Sequence, residues 1–143
     1  MRLSCTDKKI ILKRRETFSA SHRLYNPELS DEENDRIYTK CARNHGHNYV
    51  LYVSITGEIN PDTEMIIEYE EMKQAIHSVL DRVDHRYLND LPEFSKKSTT
   101  VENFAQIIWH WLEKEFPENI TIEEIELQET EKNSIILRNT KNK

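Results

Sequence analysis

The sequence is poor in the residues that interrupt regular structure. Its 143 residues include only two glycines and four prolines, so each of them is informative about the position of a turn. Cysteine is also scarce, and Cys5 and Cys41 stand in surroundings too different to suggest a disulfide framework. This cysteine usage favours a reducing cytoplasm as the compartment.

Long apolar runs are also missing, and so is an extended basic surface. No segment approaches the length of a membrane span, and the N-terminus lacks the apolar core of a signal peptide, so we expect no membrane partner. The formal net charge is -6 and no Lys/Arg run marks a nucleic-acid surface, which argues against nucleic acid as a partner. An acidic protein can still bind an anionic small molecule if a local basic pocket overrides the global sign.

The composition that remains is polar but foldable, with 36% hydrophobic and 32% charged residues. The length suits one domain with a hydrophobic core, here residues 1–143. Only residues 1–7 and 139–143 are expected to be loose ends.

The periodicity of apolar residues predicts four strands and two main helices. The strands are expected at residues 9–21, 45–58, 120–129 and 134–138, with a bulge at Glu123-Glu124. One helix is expected at 69–83, and a second follows a capping box formed by Thr99 and Glu102. Another capping box, Ser30 with Glu33, opens a short helix or turn that ends near Tyr38.

This order of elements predicts an α+β fold. The short connections between strands favour a four-stranded, mainly antiparallel sheet with two helices on one face.

Two histidines in the second strand indicate a metal site. His45 and His47 lie at i and i+2 and project to the same side, ~6.6 Å apart, and Gly46 between them leaves room for a close approach. His22 ends the first strand and reaches the same place if the two strands form a hairpin. Three imidazoles with an open fourth position are the ligands of a catalytic zinc.

Other readings of this segment stay open. His45 and His47 could simply end a polar strand, and Cys41 could join them in a closed structural site. Cys41 could also be a small buried hydrophobe, but the flanking Lys40 and Arg43 favour the thiolate, which is a proton acceptor or nucleophile.

Two further acidic positions stand out from the pattern. Asp84 precedes His85 where a helix gives way to a long loop, and a carboxylate beside an imidazole can fix its tautomer, although adjacent residues need not touch. Glu129 continues the apolar face of its strand, where a carboxylate is costly unless it is paired; the alternative is a frayed, exposed strand end.

Five short motifs occur in a specific order along residues 10–138. They are Phe18-Ser19-Ala20-Ser21-His22, Cys41 through His47, Asp84-His85-Arg86-Tyr87-Leu88-Asn89, Thr99-Thr100-Val101-Glu102-Asn103 and Glu129-Thr130. Each is weak alone, but together they resemble the 6-pyruvoyl-tetrahydropterin synthase and 6-carboxy-tetrahydropterin synthase family. The resemblance implies the tunnelling fold, assembled as a homohexamer of two trimers with active sites at subunit interfaces.

The resemblance also implies a role for each matching residue. It implies a zinc-dependent lyase acting on 7,8-dihydroneopterin triphosphate. The zinc ligands would be His22, His45 and His47, the general base Cys41, the proton relay Asp84 and His85, and the pterin-binding residues Glu129, Glu102 and Thr100. The triphosphate would meet basic residues chosen from Lys40, Arg43, Arg14, Arg23 and Arg86.

Two reactions are compatible with the resemblance. The compact Cys-x-x-x-His-Gly-His spacing, with Arg43 inside it, favours the 6-carboxy branch of queuosine synthesis, which releases acetaldehyde and triphosphate. The segment Leu29-Ser30-Asp31-Glu32-Glu33-Asn34 is more like the 6-pyruvoyl branch of tetrahydrobiopterin synthesis, which eliminates triphosphate and keeps the side chain. We put the 6-carboxy reading first. A binding module without turnover is a further alternative, but it would not need Cys41, Asp84 or His85.

Two positions depart from the family pattern. Glu64 stands where the family commonly has glycine, which predicts a turn that avoids positive φ. Glu68 replaces the usual Asp or Asn at a helix start, where any acid suits the helix dipole.

Overall fold

A five-stranded sheet with helices forms the protein, as seen in a computed structural model that describes residues 7–141. The strands are β1 (Leu12–His22), β2 (His45–Gly57), β3 (Arg86–Tyr87), β4 (Ile120–Thr130) and β5 (Asn133–Arg138). The helices are α1 (Asp31–Tyr38), α2 (Tyr69–Leu80) and α3 (Val101–Glu115). The α+β prediction is confirmed, and none of these helices is long and apolar enough to cross a membrane.

The strand order β3-β1-β2-β4-β5 differs from the prediction by one strand. The four predicted strands pair antiparallel, but β3 adds a two-residue parallel pair to β1, with Ala20 opposite Arg86. Two residues are too few to show the alternation by which strands are recognised in a sequence, so the prediction of four strands was one short.

The pairing of β1 with β2 brings the motif residues together. Its register runs from Leu12 opposite Ile55 to His22 opposite His45. The far end of this hairpin-like pair therefore collects His22, His45 and His47 on one sheet face, because alternate residues share a face.

The hydrophobic core lies on that same face. Alternate residues of β2 are fully buried, and the apolar stripes of α2 and α3 pack against them. The bulge in β4 is confirmed, because Ser54 pairs with Glu124 and Ile55 with Ile122, which leaves Glu123 without an opposite residue. The core thus supports the sheet up to the strand ends that carry the histidines.

The two predicted capping boxes have different outcomes. The Ser30 hydroxyl accepts a hydrogen bond from the Glu33 amide, and the Glu33 carboxylate accepts one from the Ser30 amide, so the first capping box is confirmed. The second box is wrong by one residue: Thr100 is the N-cap of α3 and accepts from the Asn103 amide at 3.2 Å. Adjacent threonines offer the same chemistry, so only the backbone geometry decides which one caps.

The turn at Glu64 contradicts the prediction made for it. Glu64 has a φ of 59°, so the left-handed conformation is kept although the residue is not glycine. Its amide donates to the Asn60 carbonyl at 2.8 Å, which holds the turn in place. The backbone geometry therefore still suits glycine better than glutamate.

We expect Glu64→Gly to stabilise the protein by about 1 kcal/mol, since a left-handed L-residue costs ~1–2 kcal/mol and glycine's greater freedom when unfolded offsets part of the gain. Urea unfolding measures the change. Glu64→Ala is the control and should show no such gain, because alanine keeps the Cβ; equal gains in both variants would mean that the glutamate side chain, not the backbone, is unfavourable.

Both sides of the described sheet end in uncovered backbone. On the outer side of β1 the strand ladder pairs only Ala20 and Ser21, Ser19 bonds to Asp84 and His85, and β5 pairs with β4 alone. Unpaired edges are templates for association with another chain. Of the predicted loose ends, residues 1–6 and 142–143 lie outside the described residues, whereas the Asn139 amide donates to the Glu123 carbonyl.

Candidate metal centre and active site

Three imidazoles converge at the end of β1 and the start of β2. One ligand nitrogen from each of His22, His45 and His47 lies within 4.8 Å of the others. The ring centroids are 4.6, 5.1 and 4.9 Å apart. Among the described residues, Cys41 is not part of this group, so the geometry does not support the closed Cys/His site.

Backbone carbonyls set the orientation of two of these rings. The Nδ1–H of His22 donates to the Thr99 carbonyl at 2.9 Å, and that of His45 donates to the Arg43 carbonyl at 2.7 Å. In each neutral ring the lone pair is therefore on Nε2. Such bonds to the outer nitrogen are typical of metal-binding histidines.

Two of the Nε2 atoms lack a hydrogen-bond partner among the described residues. The Nε2 atoms of His22 and His47 are buried and make no hydrogen bond. Buried polar atoms are normally satisfied, so an unpaired pair aimed at one point indicates a ligand. The three residues could hold a metal ion, and a nitrogen donor set with room for further ligands suits it.

The electrostatics favour the form of histidine that binds metals. Burial lowers the pKa of His22 to about 4, and the neighbouring His45 adds to this effect. Burial also lowers the pKa of His47, again with a contribution from His45. Both rings are therefore neutral near pH 7, as metal ligation requires.

We expect the metal-free protein to lose stability on acidification between pH 6.5 and about 4. In that window the unfolded chain protonates His22 but the folded chain does not, so protons stabilise the unfolded state. The contribution of His22 is about 3 kcal/mol. Unfolding of the wild type and of His22→Gln should be compared across the window; identical slopes would contradict the prediction.

Glu129 reaches the same centre from β4. It follows Ile125 and Leu127 on the core face, as predicted, and its side chain is only 24% exposed. The pairing of β4 with β5 shifts register between Gln128 and Thr130, and such bulges re-aim side chains beside active sites. Its Oε2 lies 3.7 Å from Nε2 of His22 and 3.9 Å from Nε2 of His47.

The carboxylate of Glu129 lies in a poorly solvated place. Burial raises its pKa, an effect that His45 opposes and Glu102 reinforces. Glu102 is exposed in the first turn of α3, near enough for its charge to act on Glu129. Thr100 is beside it, but its hydroxyl is used as the helix cap. Pterin contacts of Glu129, Glu102 and Thr100 remain predictions.

Cys41 lies in a short 3-10 turn, Thr39–Ala42, just before β2. Its carbonyl accepts from the Leu24 amide at 2.7 Å, which ties this turn to the segment that follows His22. The thiol is partly exposed and free. Cys41 is therefore held between the two strand ends that carry the histidines and can meet a bound molecule.

Asp84 and His85 form a pair at the edge of β1. The His85 Nδ1–H donates to Asp84 Oδ1 at 2.8 Å, so the two residues do touch. The Ser19 amide donates to the same carboxylate oxygen at 3.0 Å, and this bond and His85 hold the pKa of Asp84 below its ordinary value. His85 has a φ of 60° and its side chain is 82% exposed.

This pair lies at a depression on the other face of the sheet from the hydrophobic core. His85 lines this open depression of ≈ 370 Å³ together with Ser19, Ser21 and Asn48, and His47 also borders it. The side chains of Ser19, Ser21 and Asn48 alternate with the buried ones of β1 and β2, so they point away from the core. Within one subunit, His47 is the one member of the three-histidine cluster that reaches the depression lined by His85.

Three supporting residues were given no role at the site by the sequence. The Asn89 side chain accepts a hydrogen bond from the Arg23 amide at 3.0 Å and donates one to the Arg23 carbonyl at 2.9 Å. These two bonds fix the backbone after His22. Thr99 donates its hydroxyl to the same carbonyl. Tyr49 lies beside His47 in the core. Asn89 is the last residue of a motif found in the sequence, and this was the one sequence feature that could have pointed to it. Thr99 acts through backbone contacts, which leave no pattern in a sequence.

The structure shows which of the basic residues proposed to bind the anionic tail of a substrate lie near the site. Arg14 pairs with Glu16 at 3.1 Å, eight residues before His22 on β1, which removes it from the site. Arg23 stacks on Tyr25 at 4.1 Å beside the site. Arg86 lines the depression with His85, and Lys40 and Arg43 are exposed beside Cys41.

The fold and the site together define a class of protein: an α+β enzyme-like domain with a three-histidine cluster that could hold a metal ion at one end of an antiparallel sheet. Comparison with known proteins narrows this class. A family model described as 6-pyruvoyl tetrahydropterin synthase matches residues 11–140.

Individual relatives agree with the family match. The chain is 46% identical over 132 residues to the 6-pyruvoyl tetrahydrobiopterin synthase of Dictyostelium discoideum, covering 90% of this chain and 96% of that one. It is 40% identical to the Drosophila melanogaster protein of the same name, covering 89% and 78%. The Caenorhabditis elegans 6-pyruvoyl tetrahydropterin synthase structure superposes with a TM-score of 0.83 at 34% identity, covering 92% and 96%.

The chain belongs to the 6-pyruvoyl tetrahydropterin synthase family. The family resemblance seen in the sequence motifs is confirmed, and so is the prediction that the protein is an enzyme. The relatives carry the 6-pyruvoyl name, so the comparisons favour the 6-pyruvoyl alternative and do not support the 6-carboxy reading expected from the spacing of Cys41 and the histidines.

Proposed function

We propose that the protein is a zinc-dependent 6-pyruvoyl-tetrahydropterin synthase, which eliminates triphosphate from 7,8-dihydroneopterin triphosphate and keeps the three-carbon side chain. The observation that carries the proposal is the convergence of three imidazoles with buried, unpaired Nε2 atoms in a member of this family. Nitrogen ligation suits zinc among the common cations.

Mass spectrometry of the products made by zinc-loaded protein from 7,8-dihydroneopterin triphosphate tests the proposal. A 6-pyruvoyl product with its side chain intact is expected. A 6-carboxy product with acetaldehyde would overturn it in favour of the queuosine branch. Bound zinc and bound pterin without any product would instead indicate a binding module.

In this proposal the protein's own residues bind the substrate and move its protons. Zinc held by the three histidines would supply Lewis acidity, which makes a C–H bond next to a substrate hydroxyl more acidic. Cys41, on the turn that Leu24 holds in place, takes a proton as general base. Glu129 accepts from adjacent N–H groups of the pterin, which gives a charge-assisted, two-point contact with a half-buried carboxylate.

Asp84 and His85 act in a neighbouring subunit's site in this proposal. The support is the position of His85, which is largely exposed and lies in an open depression on the sheet face opposite the core, where a neighbouring subunit can approach it. Asp84 holds the Nδ1–H, so Nε2 of His85 is the atom that gives or takes a proton. The uncovered edges of β1 and β5 are consistent with assembly, which the family resemblance implies is a hexamer with interfacial sites.

We expect two inactive variants to restore each other if the pair works across an interface. Cys41→Ala and His85→Ala proteins, unfolded and refolded together, should regain activity at roughly a quarter of their sites, since random mixing places an intact Cys41 beside an intact His85 in that share. Each variant refolded alone is the control. No recovery in demonstrably mixed oligomers would show that the pair serves its own subunit.

A further inference from the structure

Tyr49 carries a hydroxyl that the fold does not use. The residue is 0% exposed, and within the described residues its hydroxyl is buried without a hydrogen-bond partner. Leaving such a group unpaired costs about 1–3 kcal/mol, and phenylalanine would fill the same space without that cost. A tyrosine at this position therefore needs an explanation outside the packing of the core.

The ring of Tyr49 is held rigidly next to the metal centre. It stacks on Phe18 at 5.0 Å and meets the edge of Phe104 at 5.4 Å. Its centroid is 5.6 Å from that of His47 and 6.4 Å from that of His22. Two neighbouring aromatic rings thus fix the hydroxyl in one place, which suits a group that has to position another.

Glu129 is the acceptor that the sheet places beside it. The register of β2 with β4 pairs Leu51 with Leu127 and Val50 with Gln128. The pairing ends there; continued by one step, this register places Tyr49 across from Glu129, which follows Leu127 on the core face. The charge of Glu129 acts on the Tyr49 hydroxyl, so the two side chains lie near each other.

Glu129 receives no hydrogen from His22. The Nδ1–H of that ring is used by the Thr99 carbonyl, so the neutral Nε2, 3.7 Å from the carboxylate, offers only a lone pair. A carboxylate without a donor there and a hydroxyl without an acceptor are complementary.

We infer that Tyr49 is a positioning residue, whose hydroxyl donates to one oxygen of the Glu129 carboxylate and so turns that carboxylate toward the N–H groups of a bound pterin. The inference rests on the proposed function, because it assigns Glu129 to the pterin. In the absence of pterin the hydroxyl is unpaired and lowers stability; in its presence the hydroxyl contributes to binding.

The test removes the hydroxyl alone. We expect Tyr49→Phe to weaken binding of neopterin, followed by its fluorescence with zinc-loaded protein, by about tenfold, since a hydrogen bond to a charged group is lost. The thermal unfolding midpoint of the metal-free variant should be unchanged or higher, because an unpaired buried group has gone. Tyr52→Phe is the matched control: Tyr52 is on the other face of β2, with Lys13 over its ring, and its loss should not affect binding.

A double-mutant cycle separates the possible roles. In a Glu129→Ala background Tyr49→Phe should cost nothing further. An equal loss in both backgrounds would show that the hydroxyl contacts the pterin itself, and unchanged binding or a lowered unfolding midpoint in Tyr49→Phe would show that it has no positioning role; each result overturns the inference. Wild-type protein that binds zinc but no neopterin would instead overturn the proposed function.

Discussion

Replacing Cys41 by alanine is expected to lower turnover of 7,8-dihydroneopterin triphosphate by about 10²–10⁴-fold, the contribution typical of a positioned general base. The metal content should stay at the wild-type level, because Cys41 is outside the three converging imidazoles. The thiol is partly exposed, so the change should leave no large cavity and little loss of stability. Turnover and metal analysis on the same preparation measure both effects.

Cys5→Ala is the matched control for this variant, since it removes the other cysteine of the protein. It should keep full activity. If Cys41→Ala loses its metal together with its activity, Cys41 is a ligand and the division of roles proposed here is incorrect. If it keeps its activity, another group is the base.

Replacing His47 by alanine is expected to abolish metal binding and turnover together. The ring supplies one of the two buried, unpaired Nε2 atoms, and a three-ligand site cannot easily compensate for a missing ligand. The fall in metal affinity should exceed the roughly 10–100-fold that follows loss of a mere supporting hydrogen bond. Titration with a competing chelator gives this affinity directly.

His110→Ala provides the comparison for that measurement, because His110 is exposed on α3. It should bind metal as the wild type does. The metal-free His47→Ala protein should remain folded, since His47 is only partly buried. A folded variant with undiminished metal affinity would show that the true ligand set lies elsewhere.

The sequence predicted the cluster of three histidines well because the alternation of side chains along a strand is a strict rule. His45 and His47 had to share a face, and an antiparallel partner had to bring His22 to them. The same rule placed Glu129 on the core face. Where the backbone period decides the direction of a side chain, a single sequence is enough.

The sequence failed where geometry depends on the immediate surroundings of a residue. It predicted Thr99 as the cap of α3 where the structure has Thr100, because both present a hydroxyl at a helix start. It assumed that Glu64 excludes a left-handed turn, whereas hydrogen bonds across that turn hold the strained conformation. Strain at one residue is tolerated when the neighbouring structure over-determines it.

The relation between Asp84-His85 and the histidines was also beyond the sequence. Motif order suggests one site, but the two-residue strand β3 sets this pair at the edge of β1 and toward the opposite face. A strand that short leaves no pattern to read. The role inferred for Tyr49 was missed for another reason. Its ring fits the buried face of β2, so the sequence pattern was accounted for without any role for its hydroxyl.

The uncovered edge of β1 has a consequence for which partner it can accept. Lys13 and Arg15 stand on this strand, so two β1 edges aligned antiparallel would bring like charges together, which disfavours self-pairing. The edge of β5 in another subunit has no such run of basic residues and is the better match. Pairing between unlike edges is head-to-tail, and it either closes into a ring or continues without end. In an assembly built through these edges, the basic residues of β1 would therefore disfavour a two-fold dimer and favour a ring of subunits.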